Sequence, residues 1–200
     1  MAEITAKQVK ELRDRTGAGM MECKKALQET EGDVDKAQEL LRVRLGDKAL
    51  KVAGRDATEG TVQAYIHATG KVGVLVEVDC NTDFVARNDD FKGFARDVAM
   101  HIAALPQTQY VHEEEISGED RERELRVFEQ QAADKPEHIR PKIAEGKLRA
   151  WMEETVLLHQ KHVNADKYAG KTIEEIRSEL SGQLGENVVI RRFSRFAVGA

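Results

Sequence analysis

The chain is poor in residues that interrupt or cross-link a fold. Three prolines in 200 residues leave room for long regular elements, because little is present to kink or stop them. The two cysteines, Cys23 and Cys80, stand far apart in sequence. Neither belongs to a Cys-x-x-Cys pair or a Cys/His metal spacing, so two reduced thiols in a reducing compartment are expected. No apolar run approaches the roughly 18 residues of a membrane span. Met1-Ala2-Glu3-Ile4-Thr5 leads into a charged helical pattern, with no signal peptide. The expectation is a cytoplasmic protein without membrane contact.

Other absences narrow the chemistry. Thr16-Gly17-Ala18-Gly19 lacks the Gly-Lys-Ser/Thr ending of a phosphate-binding loop, so this chain is not expected to hold a nucleotide. Of the six histidines, His159 and His162 are spaced to share a metal but have no third ligand nearby. Cys23 beside Lys24 and Lys25, and Cys80 near a helix start, could have lowered thiol pKa values, although burial in a helix and at a strand end fits their setting better. No cofactor, no metal and no enzymatic constellation is expected. A formal net charge of −5 and pI near 5.8 lack the basic footprint of a nucleic-acid binder. Arg191, Arg192 and Arg195 cluster, but strand alternation splits them between two faces.

What is present reads as an α+β protein, with a 34% charged fraction suited to helical surfaces. Thr5 can cap a first helix carrying Val9 and Leu12. Thr16-Gly17-Ala18-Gly19 breaks it. Met20, Cys23 and Leu27 then fall at i, i+3 and i+7, and after a Glu31-Gly32-Asp33 turn Val34, Ala37 and Leu41 do the same. Residues 1–46 thus read as a small three-helix bundle of the ubiquitin-associated (UBA-like) type, and 47–60 as a linker. Residues 61–200 read as a core and dimerisation domain. In it Val62 to Ala68 and Val72 to Val78 form a hairpin about Thr69-Gly70. Phe91, Phe94, Val98, Ile102 and Leu105 share one helical face, stopped by Pro106. Gly118–Ala133 and Pro136–Leu158 read as two charged helices and Lys171–Leu184 as a third, with Ile173, Ile176 and Leu180 inward. Val188–Phe196 is a last strand that completes a three-stranded antiparallel sheet with helices on one face.

The most informative stretch is Glu77-Val78-Asp79-Cys80-Asn81-Thr82-Asp83-Phe84-Val85-Ala86-Arg87. The valine alternation stops at a polar turn and a helical pattern begins. A ring, Phe84, thus sits beside an acid at a strand-to-helix corner, where it can point at a partner. The alternative is that Thr82 or Asp83 caps the helix and Phe84 folds back as a staple.

This stretch resembles the signature of the translation elongation factor Ts family. So does Leu12-Arg13-Asp14-Arg15-Thr16-Gly17-Ala18-Gly19-Met20-Met21-Glu22-Cys23-Lys24-Lys25-Ala26-Leu27 upstream. The resemblance continues through Gly54-Arg55, Glu59-Gly60, Gly146-Lys147-Leu148, Glu153-Glu154, Gly185-Glu186-Asn187 and Arg191-Arg192-Phe193. Asp79 and Asn81 flank Cys80 where the family more often has Asn and Gln or Glu, and Gln160-Lys161-His162 replaces Gln-Pro-Phe. The resemblance implies a guanine-nucleotide exchange factor for the GTPase elongation factor Tu (EF-Tu), not an enzyme. It implies that Thr82, Asp83, Phe84 and Val85 enter the GTPase near its magnesium site, with Phe84 as the wedge. Arg13, Met20 and Met21 would grip the GTPase elsewhere. With room for one core, the chain is similar to the short forms of the family that pair as homodimers. The competing class is a UBA-like adaptor with no exchange activity, in which Phe84 is dispensable.

Overall fold

The computed structural model describes residues 4–199. By internal contacts the chain forms two compact units. The first comprises residues 1–61, 78–92 and 175–189; the second comprises 62–77, 93–174 and 190–200.

In the first unit, helix α1 (Ala6–Thr16) opens with a reciprocal cap. The Thr5 hydroxyl accepts from the Gln8 amide at 3.3 Å, and the Gln8 side chain accepts from the Thr5 amide at 3.0 Å. Gly17, at φ 66°, turns the chain out of the helix in the left-handed region that glycine enters without a Cβ penalty. Helices α2 (Met20–Glu29) and α3 (Val34–Val52) follow. Asp33 caps α3 by accepting from the Asp35 and Lys36 amides. Leu12, Cys23, Ala26, Leu27, Ala37 and Leu41 form the buried cluster these helices share, with Val9 and Val34 at its margin. Each buried leucine contributes roughly 2 kcal/mol of transfer free energy.

Helix α3 continues through Val52, so the first part of the expected 47–60 linker is helical. Its apolar stripe runs on through Leu45, Ala49 and Val52, all buried. Met20 departs from the expected helical face: Cys23 and Leu27 are fully buried, but Met20 is 58% exposed. As the first residue of α2 it leans toward the helix N-terminus, beyond the turn that covers the core.

Strands β1 (Glu59–Ile66), β2 (Val72–Cys80) and β3 (Val189–Ala197) form one antiparallel sheet in the order β1-β2-β3. The fold is therefore α+β, as its sequence pattern predicts. Val74, Val76 and Val78 are buried, whereas Leu75 points out. On β1 the apolar Val62 and Ile66 are exposed and the polar Thr61, Gln63 and Tyr65 are half-buried.

After β2 the chain makes a four-residue helix, α4 (Asp83–Ala86), and then α5 (Asp89–Ala104). The break comes from Asn88, whose side-chain oxygen accepts from the Asp90 amide at 2.8 Å and the Phe91 amide at 3.3 Å. Phe91, Phe94, Val98 and Ile102 are buried on one face of α5, and Leu105 lies just past its end. In the second unit, α6 (Gly118–Gln131) and α7 (Arg140–Thr155) pack antiparallel. Lys147 reaches Gln131 at the turn, and Arg121 reaches Met152 at the far end. A single turn, α8 (Ala165–Tyr168), precedes α9 (Ile173–Leu184), which buries Ile173, Ile176 and Leu180.

Candidate functional site

The strand-to-helix corner is built from the backbone outward. Thr82 is extended, at φ −129° and ψ 154°, and its hydroxyl caps α4 by accepting from the Val85 amide at 3.4 Å. Asp83, the first helical residue, stands where an acid suits the helix dipole, and its carboxylate also meets Arg87 at 2.9 Å one turn on. Val85 is half-buried. Phe84 is 80% exposed. A fold-back staple would have buried that ring, so of the alternative reading of the corner the Thr82 cap holds and the Phe84 staple does not.

The corner is held by a polar turn about a hundred residues downstream in the chain. The Glu186 carboxylate accepts from the Asn81 and Thr82 amides, each at 3.0 Å through Oε2, and from the Thr82 hydroxyl at 2.6 Å through Oε1. Asn81 accepts from the Asn187 amide at 2.9 Å and donates to the Asp56 carbonyl at 2.7 Å. Asn187 donates to the Ala53 and Arg55 carbonyls, and Arg55 donates to the Gly185 carbonyl. These residues all belong to the first unit. Glu186, Asn187 and Asn81 were not among the expected site residues. The signal for them was a Gly-Glu-Asn turn between a helix and the last strand, too rich in polar groups for a mere connector.

The second expected set lies on the N-terminal helices of the same unit. Met20 and Met21 are both exposed, at 58% and 65%, and Arg13 is exposed on α1. Thioethers in that setting form an adaptable apolar patch.

Chemistry of other kinds is poorly served. Cys23 and Cys80 are fully buried. Burial raises the Cys23 thiol pKa, and burial together with the nearby Glu186 pushes Cys80 up to about 11. Both are therefore protonated and unreactive at neutral pH. His162 and His159 have different partners. His162 stacks on the buried His101 with ring centres 5.2 Å apart, while His159 lies 3.8 Å from Glu113. No group of three or more His, Cys, Asp or Glu that could hold a metal occurs among the described residues. No helix among them is long and apolar enough to cross a membrane.

The corner thus presents an exposed aromatic ring on a backbone clamped by polar side chains. The family profile described as elongation factor TS matches residues 1–169. The chain is 50% identical over 201 residues to an elongation factor Ts of Trichodesmium erythraeum, spanning all of this chain and 90% of that one. It is 48% identical to one of Syntrophobacter fumaroxidans, covering 99% of this chain and 98% of the relative. Against that of Geobacter sulfurreducens it is 50% identical, with 98% and 90% covered. The chain belongs to the elongation factor Ts family. Membership implies a nucleotide-exchange factor for EF-Tu in translation elongation, rather than an enzyme in the usual sense.

Proposed function

We propose that this protein binds EF-Tu·GDP in the cytoplasm and releases GDP by disturbing the magnesium and phosphate site, with Phe84 as the wedge. The observation that carries the reading is the exposure of Phe84 at a clamped corner whose flanking residues match the family signature. GDP is held in such GTPases by amides that cradle its phosphates, a lysine and a magnesium ion. A ring inserted there displaces the side chains supporting the metal, and Asp83 competes for the groups that position them. Thr82 and Val85 set the angle of entry.

The factor need only favour the nucleotide-free form of the GTPase. By linkage it weakens GDP by the factor with which GDP weakens it, and each 1.4 kcal/mol of coupling is about tenfold. It accelerates exchange in both directions and leaves the GDP/GTP equilibrium unchanged. Arg13, Met20 and Met21 supply a second contact on the GTPase. Two separated contacts on one partner raise the effective concentration of the wedge.

The test is fluorescent-GDP release from EF-Tu with and without the protein, compared with Phe84→Ala. A large acceleration that Phe84→Ala removes supports the reading. Binding without acceleration favours a UBA-like adaptor.

A further inference from the structure

We infer that Glu186 is a positioning residue for exchange: its carboxylate fixes the Asn81-Thr82 backbone and so sets the direction in which Phe84 points. The inference rests on the exchange reading above.

Phe84 cannot orient itself. Four-fifths of its surface is exposed, so its own packing contributes little. Nor can α4 hold itself, because four residues do not offset the cost of helix nucleation. The direction of the ring must come from the backbone just before it. There three donors converge on one carboxylate, the Asn81 amide, the Thr82 amide and the Thr82 hydroxyl. Charge-assisted bonds of this kind are shorter and stronger than neutral ones.

The geometry links clamp to wedge through one side chain. The Thr82 hydroxyl donates to Glu186 and accepts from the Val85 amide. The residues on either side of Phe84 in the Thr82–Val85 corner are thus tied, directly or through one oxygen, to a single acid. Glu186 is itself held in register by its neighbours: Gly185 accepts from Arg55, and Asn187 bonds to Ala53, Arg55 and Asn81. The Cys80 thiol donates to the Thr82 carbonyl at 3.2 Å, closing the corner from the strand side. A partner-binding ring on so short a helix loses orientation when its anchor is cut, even if the ring remains. Misplacing a working group by about 1 Å costs far more than its share of contact area suggests.

Glu186→Ala removes the acceptor for all three donors. Glu186→Gln keeps one oxygen for the two amides and offers its NH2 to the Thr82 hydroxyl, which has a free lone pair. The experiment is a double-mutant cycle on the full-length protein. It measures the maximal rate of fluorescent-GDP release from EF-Tu at saturating factor for wild type, Glu186→Ala, Glu186→Gln, Phe84→Ala and both Glu186 variants combined with Phe84→Ala. Melting curves are taken for each. Glu186→Ala is expected to lower the maximal rate about tenfold, with Glu186→Gln recovering much of the loss. In the Phe84→Ala background neither Glu186 change should lower the rate further, because there is no ring left to aim.

A wild-type rate in Glu186→Ala overturns the inference. So does the same fractional loss with and without Phe84, which would mean that Glu186 acts through the fold at large. Should Glu186→Ala not fold, the Glu186→Gln arm of the cycle decides by the same criterion. If the wild-type protein releases no nucleotide, the exchange reading falls and this inference with it. If wild type and Phe84→Ala behave as proposed and the cycle is additive, only the clamp is overturned.

Discussion

At the scale of single residues, Phe84 contributes little to folding and is placed to contribute to contact. Buried rings cost about 3–5 kcal/mol when truncated to alanine, but surface positions usually stay within about 0.5 kcal/mol. Phe84→Ala should therefore leave the circular dichroism spectrum and melting temperature almost unchanged. Exchange on EF-Tu should fall at least about tenfold, as expected of a central aromatic anchor. An unfolded variant, or one that exchanges at the wild-type rate, contradicts the wedge. The position of Phe84 was legible because a period-two valine pattern stops abruptly before it. The exposure of Met20 was not legible from helical spacing, which names a face but not where the core ends along it; only the family resemblance implied it. Glu186 was harder still, since its three donors lie about a hundred residues away in sequence.

At the scale of elements, two close fits carry consequences. In the first unit a Cβ on Gly182 of α9 would fall far inside van der Waals contact with the Leu45 carbonyl oxygen of α3. The obstacle is backbone, so Gly182→Ala must push the helices apart and should cost about 1–3 kcal/mol, seen as a lowered melting temperature. A neutral result would mean that the two backbones are not in contact. In the second unit, two imidazoles hold one loop. His101 and His162 each accept a backbone N–H through Nδ1, from Val163 at 3.2 Å and Asn164 at 3.0 Å. Nε2 of His101 therefore carries the proton and donates to the Gln160 side chain, and that of His162 donates to the Asp97 carbonyl. Asp97 also takes Lys167 and Tyr168. Protonating Nδ1 would set N–H against N–H. Burial accordingly lowers the pKa of both rings, that of His101 to about 4. The unfolded chain then binds more protons between its own histidine pKa of about 6.5 and 4, so stability is complete above 6.5 and falls as pH drops through that window. The loss from His101 is on the order of 3 kcal/mol by pH 4. Urea midpoints at pH 7, 5.5 and 4.5 check this, and His101→Gln should flatten the slope. The sequence paired His162 by spacing only with His159 and gave His101 no role; the partnership of His101 with His162 is a product of chain folding that no local spacing reports.

At the scale of the whole molecule, the longer helices, the strands and their order could be read from periodicity, because burial on one face imposes period 3.6 or 2 on the residues; the four-residue helices α4 and α8 are too short to show one. The break at Asn88 and the length of α3 could not be read, since a single cap or three more buried residues decide them. Assembly depends on a different observation. Val62, Ile66, Leu75, Phe196 and Val198 are exposed by 47–77%. Ile66, Leu75, Phe196 and Val198 line one shallow groove of the second unit, across the ends of β1, β2 and β3. Antiparallel sheets tolerate one wet face, but that face is normally polar. Contiguous apolar side chains there mark an interaction surface. We propose a second copy as the occupant, related by a two-fold axis so that the patch meets itself, and a complex with EF-Tu containing two copies of each protein. Light scattering at micromolar concentration should then report about twice the 22.4 kDa of one chain. Replacing both Leu75 and Phe196 with lysine should halve that mass without altering the circular dichroism spectrum, because neither side chain is part of the buried core. Changing both cysteines to serine should leave the mass as it is, since Cys23 and Cys80 are buried and neither lines this groove. A wild-type mass near 22.4 kDa would refute the dimer. A lysine variant that stays dimeric would move the interface to another surface.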